Sequence, residues 1–105
     1  MKNFSQRVAV ITGAASGFGR EFARVGAQMG MRLVLADVQK EGLAETAAEL
    51  EAQGAHVMTQ ICDVRKGEQV EALARAAMTR FGAVHLVFNN AGVGAGGLVW
   101  ESTQA

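Results

Sequence analysis

The sequence contains no proline, no tyrosine and a single cysteine, Cys62. Without proline, helices and strands run free of that interruption. Without tyrosine, one common proton donor of enzyme catalysis is missing from these residues. A lone cysteine cannot close an internal disulfide, which suits a reducing compartment. Neither sign of charge dominates, since ten Lys plus Arg balance ten Asp plus Glu. That balance removes the electrostatic case for nucleic acid or an anionic membrane as a partner, and neither is expected. No apolar run is long enough to span a bilayer. The opening Met1-Lys2-Asn3-Phe4-Ser5-Gln6-Arg7 lacks the apolar core of a signal peptide. A soluble, cytoplasmic location is the expectation.

What the chain does have is core-forming residues in a repeating order. Half of its 105 residues are hydrophobic, enough for one small domain and too many for a disordered segment. The organising stretch is Thr12-Gly13-Ala14-Ala15-Ser16-Gly17-Phe18-Gly19. Before it, Val8-Ala9-Val10-Ile11 reads as a buried strand. After it, Phe18, Phe22, Val25, Gly26 and Met29 fall on one helical stripe, which predicts that this stripe faces the core. The glycines therefore occupy a turn from strand to helix. The first N–H groups of such a helix have no partner within it, and its dipole puts partial positive charge there. A phosphate or diphosphate fits that position. Gly13 permits the sharp turn, Gly17 lets a ligand approach the backbone, and Gly19 allows close packing of helix on strand.

Further along, Arg32–Ala36 reads as a second strand ending at Asp37, and Gln39–Gln53 as a helix burying Leu43, Ala47 and Leu50. His56–Cys62 reads as a third strand, followed by Asp63 and Val64. Val70, Leu73, Ala74, Ala77, Met78 and Phe81 form a stripe at helical spacing, and Gly82 ends that helix. Val84–Phe88 reads as a fourth strand running into Asn89-Asn90-Ala91-Gly92. Residues from Val93 onward carry no pattern that predicts an element. Strict alternation of strand and helix predicts a parallel sheet with helices on both faces. Right-handed crossovers give the strand order 3-2-1-4, a doubly wound α/β fold of Rossmann type. The winding reverses between strands one and four, and open α/β sheets bind ligands beyond the strand ends at that point. The glycine turn, Asp37, Asp63 and Asn89–Gly92 should border one crevice. The outer edge of strand four is expected to be unpaired, which predicts marginal stability or a homo-oligomer formed through that edge.

Asp37 follows Gly19 by 18 residues, close to the spacing of a ribose-binding acid. A carboxylate there accepts bonds from both hydroxyls of an adenosine ribose and repels a 2′-phosphate, so NAD is favoured over NADP. The alternative is that Asp37 caps the next helix. Asp63 has the same two readings, adenine contact with Val64 on the ring, or a helix cap. Asn90 either holds the cofactor or ties neighbouring strand ends. Ser16 could donate to a phosphate oxygen. Arg20 is a solvated helix residue in preference to a phosphate ligand. His56 and His85 are isolated from metal-binding partners and read as structural, so no metal site is expected.

Together, Thr12-Gly13-x-x-x-Gly17-x-Gly19, Asp37, Asp63-Val64 and Asn89-Asn90-Ala91-Gly92 resemble the short-chain dehydrogenase/reductase family, over Arg7 to Gly92. The resemblance implies an NAD-dependent oxidoreductase that moves a hydride between nicotinamide and a small carbonyl or alcohol substrate. It implies that Gly13, Ser16, Gly17, Phe18 and Gly19 line the diphosphate, Asp37 the adenosine ribose, and Asp63 and Val64 the adenine. Asn90, with Ala91 and Gly92, would lie near the nicotinamide ribose. Phe18 stands where an isoleucine is common in the family. The family's catalytic asparagine, serine and Tyr-x-x-x-Lys pair are not found, so residues 1–105 read as a partial dinucleotide-binding domain with no catalytic residue of its own. A non-catalytic NAD-binding module, or a fragment without turnover, is the alternative.

Overall fold

The computed structural model describes residues 6–15 and 17–89, and the backbone of a strand at 97–100. Val8–Thr12 forms β1, and all its residues are buried, as a strand covered on both sides requires. Gly17–Gln28 forms α1, Arg32–Asp37 β2, Lys40–Ala52 α2, Val57–Ile61 β3, Gly67–Phe81 α3 and Leu86–Asn89 β4. Gly97–Trp100 adds β5. The strand order is β3-β2-β1-β4-β5. The first four strands are mutually parallel, in the predicted order.

β5 was not foreseen. It pairs antiparallel with β4, Leu86 opposite Trp100 and Asn89 opposite Gly97, so the outer edge of β4 is paired where an open edge was expected. Only residues 90–96 separate Asn89 from Gly97. That is too short for the crossover a parallel partner needs, and an antiparallel return is the arrangement left.

Alternate residues of each strand serve opposite faces. Ala9 and Ile11 of β1 with Leu33 and Leu35 of β2 pack under Ala23 of α1 and Leu43, Ala47 and Leu50 of α2. Val8, Val10, Val34 and Ala36 pack on the other face with Leu73 and Ala77 of α3. Two helices thus share one face and α3 covers the other, as right-handed crossovers dictate. Ile11, Leu33, Leu35 and Leu50 are fully buried, each contributing about 1.5–3 kcal/mol.

α1 corrects the predicted stripe. Its buried residues are Gly19, Ala23 and Gly26, while Phe18 is 73% exposed, Val25 49% and Met29 41%. The helix docks through small residues because it sits so close to the strands. An added Cβ on Gly26 would stand 3.0 Å from Leu33 Cδ2. Phe22 remains inward, its ring stacked on Phe88 of β4 at 4.3 Å between centroids. On α3 the stripe holds for the buried Leu73 and Ala77 and the partly buried Met78 and Phe81, whereas Val70 and Ala74 are exposed. Beside α3 an open groove of about 530 Å³ runs over β1 and β4, lined by Val10, Val84, Val87, Met78 and the half-exposed Val70. One helix cannot cover that face of the sheet.

At the opposite end of the strands, His85 locks β4 to β1. Its N–H donates to the Val8 carbonyl (2.9 Å), and the Val8 N–H donates to His85 Nδ1 (2.9 Å). Nδ1 must be unprotonated to accept. Burial, with the positive charges of Arg7 and Arg32, holds the imidazole pKa below its ordinary 6.5. The unfolded chain therefore binds the proton first as pH falls. The stabilisation is complete above the ordinary imidazole value and is lost as pH drops from there through the folded pKa. We expect the urea midpoint to fall between about pH 7.5 and about pH 5, and to fall less in His85→Asn. Equal pH dependence in both chains would rule this lock out.

Candidate functional site

The C-terminal ends of the parallel strands lie on one edge. Thr12 of β1 is opposite both Ala36 of β2 and Asn89 of β4, and Asp37 is opposite Ile61 of β3. β1 and β4 are direct neighbours, so the reversal of winding falls between them. Thr12 Oγ1 donates to Asn89 Oδ1 (2.8 Å), tying the two strand ends across that crevice. Asn89 therefore ties strand ends, the role that the sequence offers as one of two for its neighbour Asn90. Ser16, Asn90, Ala91 and Gly92 lie outside the described residues.

The glycine turn has the conformation its sequence requires. Gly13 has φ +70° and Gly17 φ +63°, both in the left-handed region that glycine tolerates. A Cβ added at Gly17 would meet nothing within 4 Å, so the backbone there is open to an approaching group. A Cβ at Gly19 would stand 2.1 Å from the Gly13 carbonyl oxygen, so α1 starts hard against the turn. α1 begins at Gly17, which puts Gly17, Phe18 and Gly19 in its first turn, where N–H groups lack helical partners. The exposed Phe18 stands at this mouth.

Asp37 ends β2 beside the turn. Its Oδ2 accepts the Ala15 N–H (2.9 Å) and its Oδ1 accepts the Gln39 N–H (3.0 Å). It does not cap α2, whose N-cap is Gln39 with no side-chain bond. A carboxylate has about four acceptor positions. Among the described residues, one on each oxygen remains unused. Two adjacent acceptors match a vicinal diol. Val38, next in the chain, is 57% exposed and adds apolar surface that the sequence reading did not single out.

Asp63 is more committed. Its carboxylate takes a two-pronged grip from Arg65, Nε to Oδ1 and Nη2 to Oδ2 (each 3.0 Å), and the Arg65 N–H also donates to Oδ1 (3.0 Å). These bonds hold its pKa down to about 2, chiefly through the Arg65 side chain. Among the described residues one acceptor position is left, on Oδ2. The Asp63 N–H donates to Gln69 Oε1 (2.8 Å), which fixes the turn into α3. Asp63 is not the helix cap either, since Lys66 is. Val64 is half-buried at the wall of the apolar groove, on the α3 face.

Arg20 turns away from the mouth. It pairs with Glu49 (3.2 Å) and Glu45 (3.9 Å) of α2. Arg24 binds the same Glu49, and this hydrogen bond is the main reason that carboxyl sits below the usual range. Cys62 is buried, which pushes its thiol pKa up, away from reactivity. Among the described residues no group of His, Cys, Asp and Glu could hold a metal ion, and no helix is long and apolar enough to cross a membrane. The sequence reading placed Asn89 and the turn residues Thr12 and Ala15 beside the crevice but gave them no bonding role, because the Thr12–Asn89 and Ala15–Asp37 hydrogen bonds depend on how the strand ends meet in space.

A family model described as short chain dehydrogenase matches residues 7–105. The chain is 39% identical over 101 residues to a CLA biosynthesis dehydrogenase/reductase of Lactiplantibacillus plantarum, covering 96% of this chain and 35% of that protein. It is 48% identical over 92 residues to the levodione reductase of Leifsonia aquatica, covering 86% of this chain and 34% of that one. A solved short chain dehydrogenase/reductase from Burkholderia phymatum in complex with NAD matches with a TM-score of 0.86 and 60% identity, covering 98% of this chain and 37% of the other. The chain thus spans about a third of the length of these relatives.

Proposed function

The chain belongs to the short chain dehydrogenase family, and from that premise we propose that it is the cofactor-binding part of an NAD-dependent oxidoreductase. The reaction is hydride transfer between the nicotinamide and the carbon of a small carbonyl/alcohol substrate. When bound, the nicotinamide supplies the hydride or takes it up. These residues supply binding and orientation. Gly13, Ser16, Gly17, Phe18 and Gly19 line the diphosphate, whose charge is met by the N-terminus of α1. Asp37 takes the adenosine ribose, and Asp63 with Val64 the adenine. Asn90, Ala91 and Gly92 serve the nicotinamide side. No residue here is assigned proton transfer. The open groove beside α3 supports reading residues 1–105 as one part of a larger domain, and the proposal extends to a cytoplasmic homo-oligomer.

One observation carries the choice of cofactor. Among the described residues Asp37 keeps two adjacent acceptors unused next to the turn, an arrangement suited to a ribose diol and hostile to a 2′-phosphate. Arg20 and Arg65 are bound to carboxylates and do not offset that repulsion. The NAD complex of the Burkholderia phymatum relative supports the same choice. Calorimetric titration should show NAD binding at least about tenfold tighter than NADP. Equal or tighter NADP binding would overturn the role of Asp37, and binding of neither would overturn the whole reading.

A further inference from the structure

One peptide of the glycine turn is held at both ends by side chains from outside it. The Ala15 N–H donates to Asp37 Oδ2, and the Ala14 carbonyl accepts from Thr46 Oγ1 (3.0 Å). These are the N–H and C=O of the same Ala14–Ala15 peptide plane. Thr46 lies on the inner face of α2 and is fully buried, as is Ala14. The Thr46 hydroxyl also lies 3.0 Å from the Gly42 carbonyl, the usual partner of a helical threonine one turn back. The hydroxyl has a single hydrogen to share between these two carbonyls, and the Gly42 carbonyl already stands in the hydrogen-bond ladder of α2. The Ala14 carbonyl, with no ladder partner among the described residues, is the group that needs the donor. One turn earlier, Gly42 backs directly onto Ala15. A Cβ there would come within 2.9 Å of Ala15 Cβ and 3.2 Å of the Ala15 carbonyl oxygen.

We propose that Thr46 and Gly42 are positioning residues for diphosphate binding, although neither belongs to the glycine motif. They fix the tilt of the Ala14–Ala15 plane, and α1 starts at Gly17, two residues beyond Ala15. The direction in which the Gly17, Phe18 and Gly19 N–H groups point is thereby tied to α2. The inference rests on the reading that the turn holds a diphosphate. A ligand binding a loosened turn must first order it, and that cost falls only on ligands that touch the turn.

The test compares ADP-ribose, which carries the diphosphate, with adenosine, which does not, by calorimetric titration of the chain. Thr46→Val should weaken ADP-ribose about tenfold and leave adenosine within about twofold, and Thr46→Ser should restore ADP-ribose to within about threefold. Gly42→Ala should give the same split by pushing Ala15 aside. Alanine is the better helix former, so that loss cannot come from a weakened α2. Gly42→Ala also keeps the test decisive if Thr46→Val fails to fold. Unchanged ADP-ribose binding in the valine and alanine variants, or equal loss of both ligands, would overturn the inference while the diphosphate reading stands. If the unsubstituted chain binds no ADP-ribose, that reading falls, and the inference with it.

Discussion

Gly19→Ala is expected to lower stability by about 3 kcal/mol or more, and to abolish measurable dinucleotide binding. The new methyl would stand 2.1 Å from the Gly13 carbonyl oxygen and 2.7 Å from its carbon, with Ala14 Cα at 3.2 Å. All three atoms are backbone, so no rotamer change relieves the overlap. The turn cannot retreat cheaply. Gly13 already sits at φ +70°, and the Ala14 N–H donates to the Ala36 carbonyl of β2 (3.1 Å). Either α1 lifts off the sheet, exposing Ala23 and Leu33, or the turn gives up its bonds. A domain of this size holds about 5–15 kcal/mol in total, so the loss is a large share. With a slope of about 1–1.5 kcal/mol per molar urea, the midpoint should fall by about 2–3 M. Gly67→Ala is the control. It lies in the first turn of α3, has nothing within 4 Å of its added methyl, and should be neutral or slightly stabilising. Matching urea midpoints for the two variants would mean that α1 does not start where it is described.

The contrast between Gly19 and Phe18 shows what a sequence can and cannot reveal about such a fold. β1 and β2 are legible because strands buried on both faces read as unbroken apolar runs. Their order follows from handedness once the alternation is seen. Gly30, Gly54 and Gly82 close their helices at φ +79°, +92° and +79°, as their positions foretell. The buried face of α1 was legible only in part, since Phe22 and Gly26 of the predicted stripe face inward while Phe18, Val25 and Met29 do not. The helix approaches too closely for that stripe, and glycine and alanine carry the contact. β5 was hidden for a different reason. A short edge strand is defined by the neighbour it pairs with, and Leu98-Val99-Trp100 alone is too brief to announce one. Within the site, the acids at the strand ends could be found by spacing. Their partners could not, since the Arg65 grip on Asp63 and the Ala15 bond to Asp37 depend on how the chain turns in space.

Asp37→Asn is expected to weaken NAD about 100-fold, equivalent to about 2.7 kcal/mol, and to bring NADP close to NAD in affinity. Two losses add in this one substitution. The carboxylate accepts the Ala15 N–H on one oxygen and the Gln39 N–H on the other. A carboxamide keeps only one oxygen, so its NH₂ must face one of those two donors. Whichever it faces, a backbone N–H loses its acceptor, and if that is Ala15 the clamp on the glycine turn opens. The second loss is direct. The diol of the ribose meets one acceptor where two stood, and the charge that strengthened both bonds is gone. The same loss of charge removes the repulsion of a 2′-phosphate, so NADP should weaken far less than NAD. Titration of both dinucleotides against both chains separates the two effects. A parallel fall for NAD and NADP would leave only the turn as the cause. NAD binding unchanged in Asp37→Asn would remove Asp37 from the site, and with it the argument that this crevice selects the unphosphorylated cofactor.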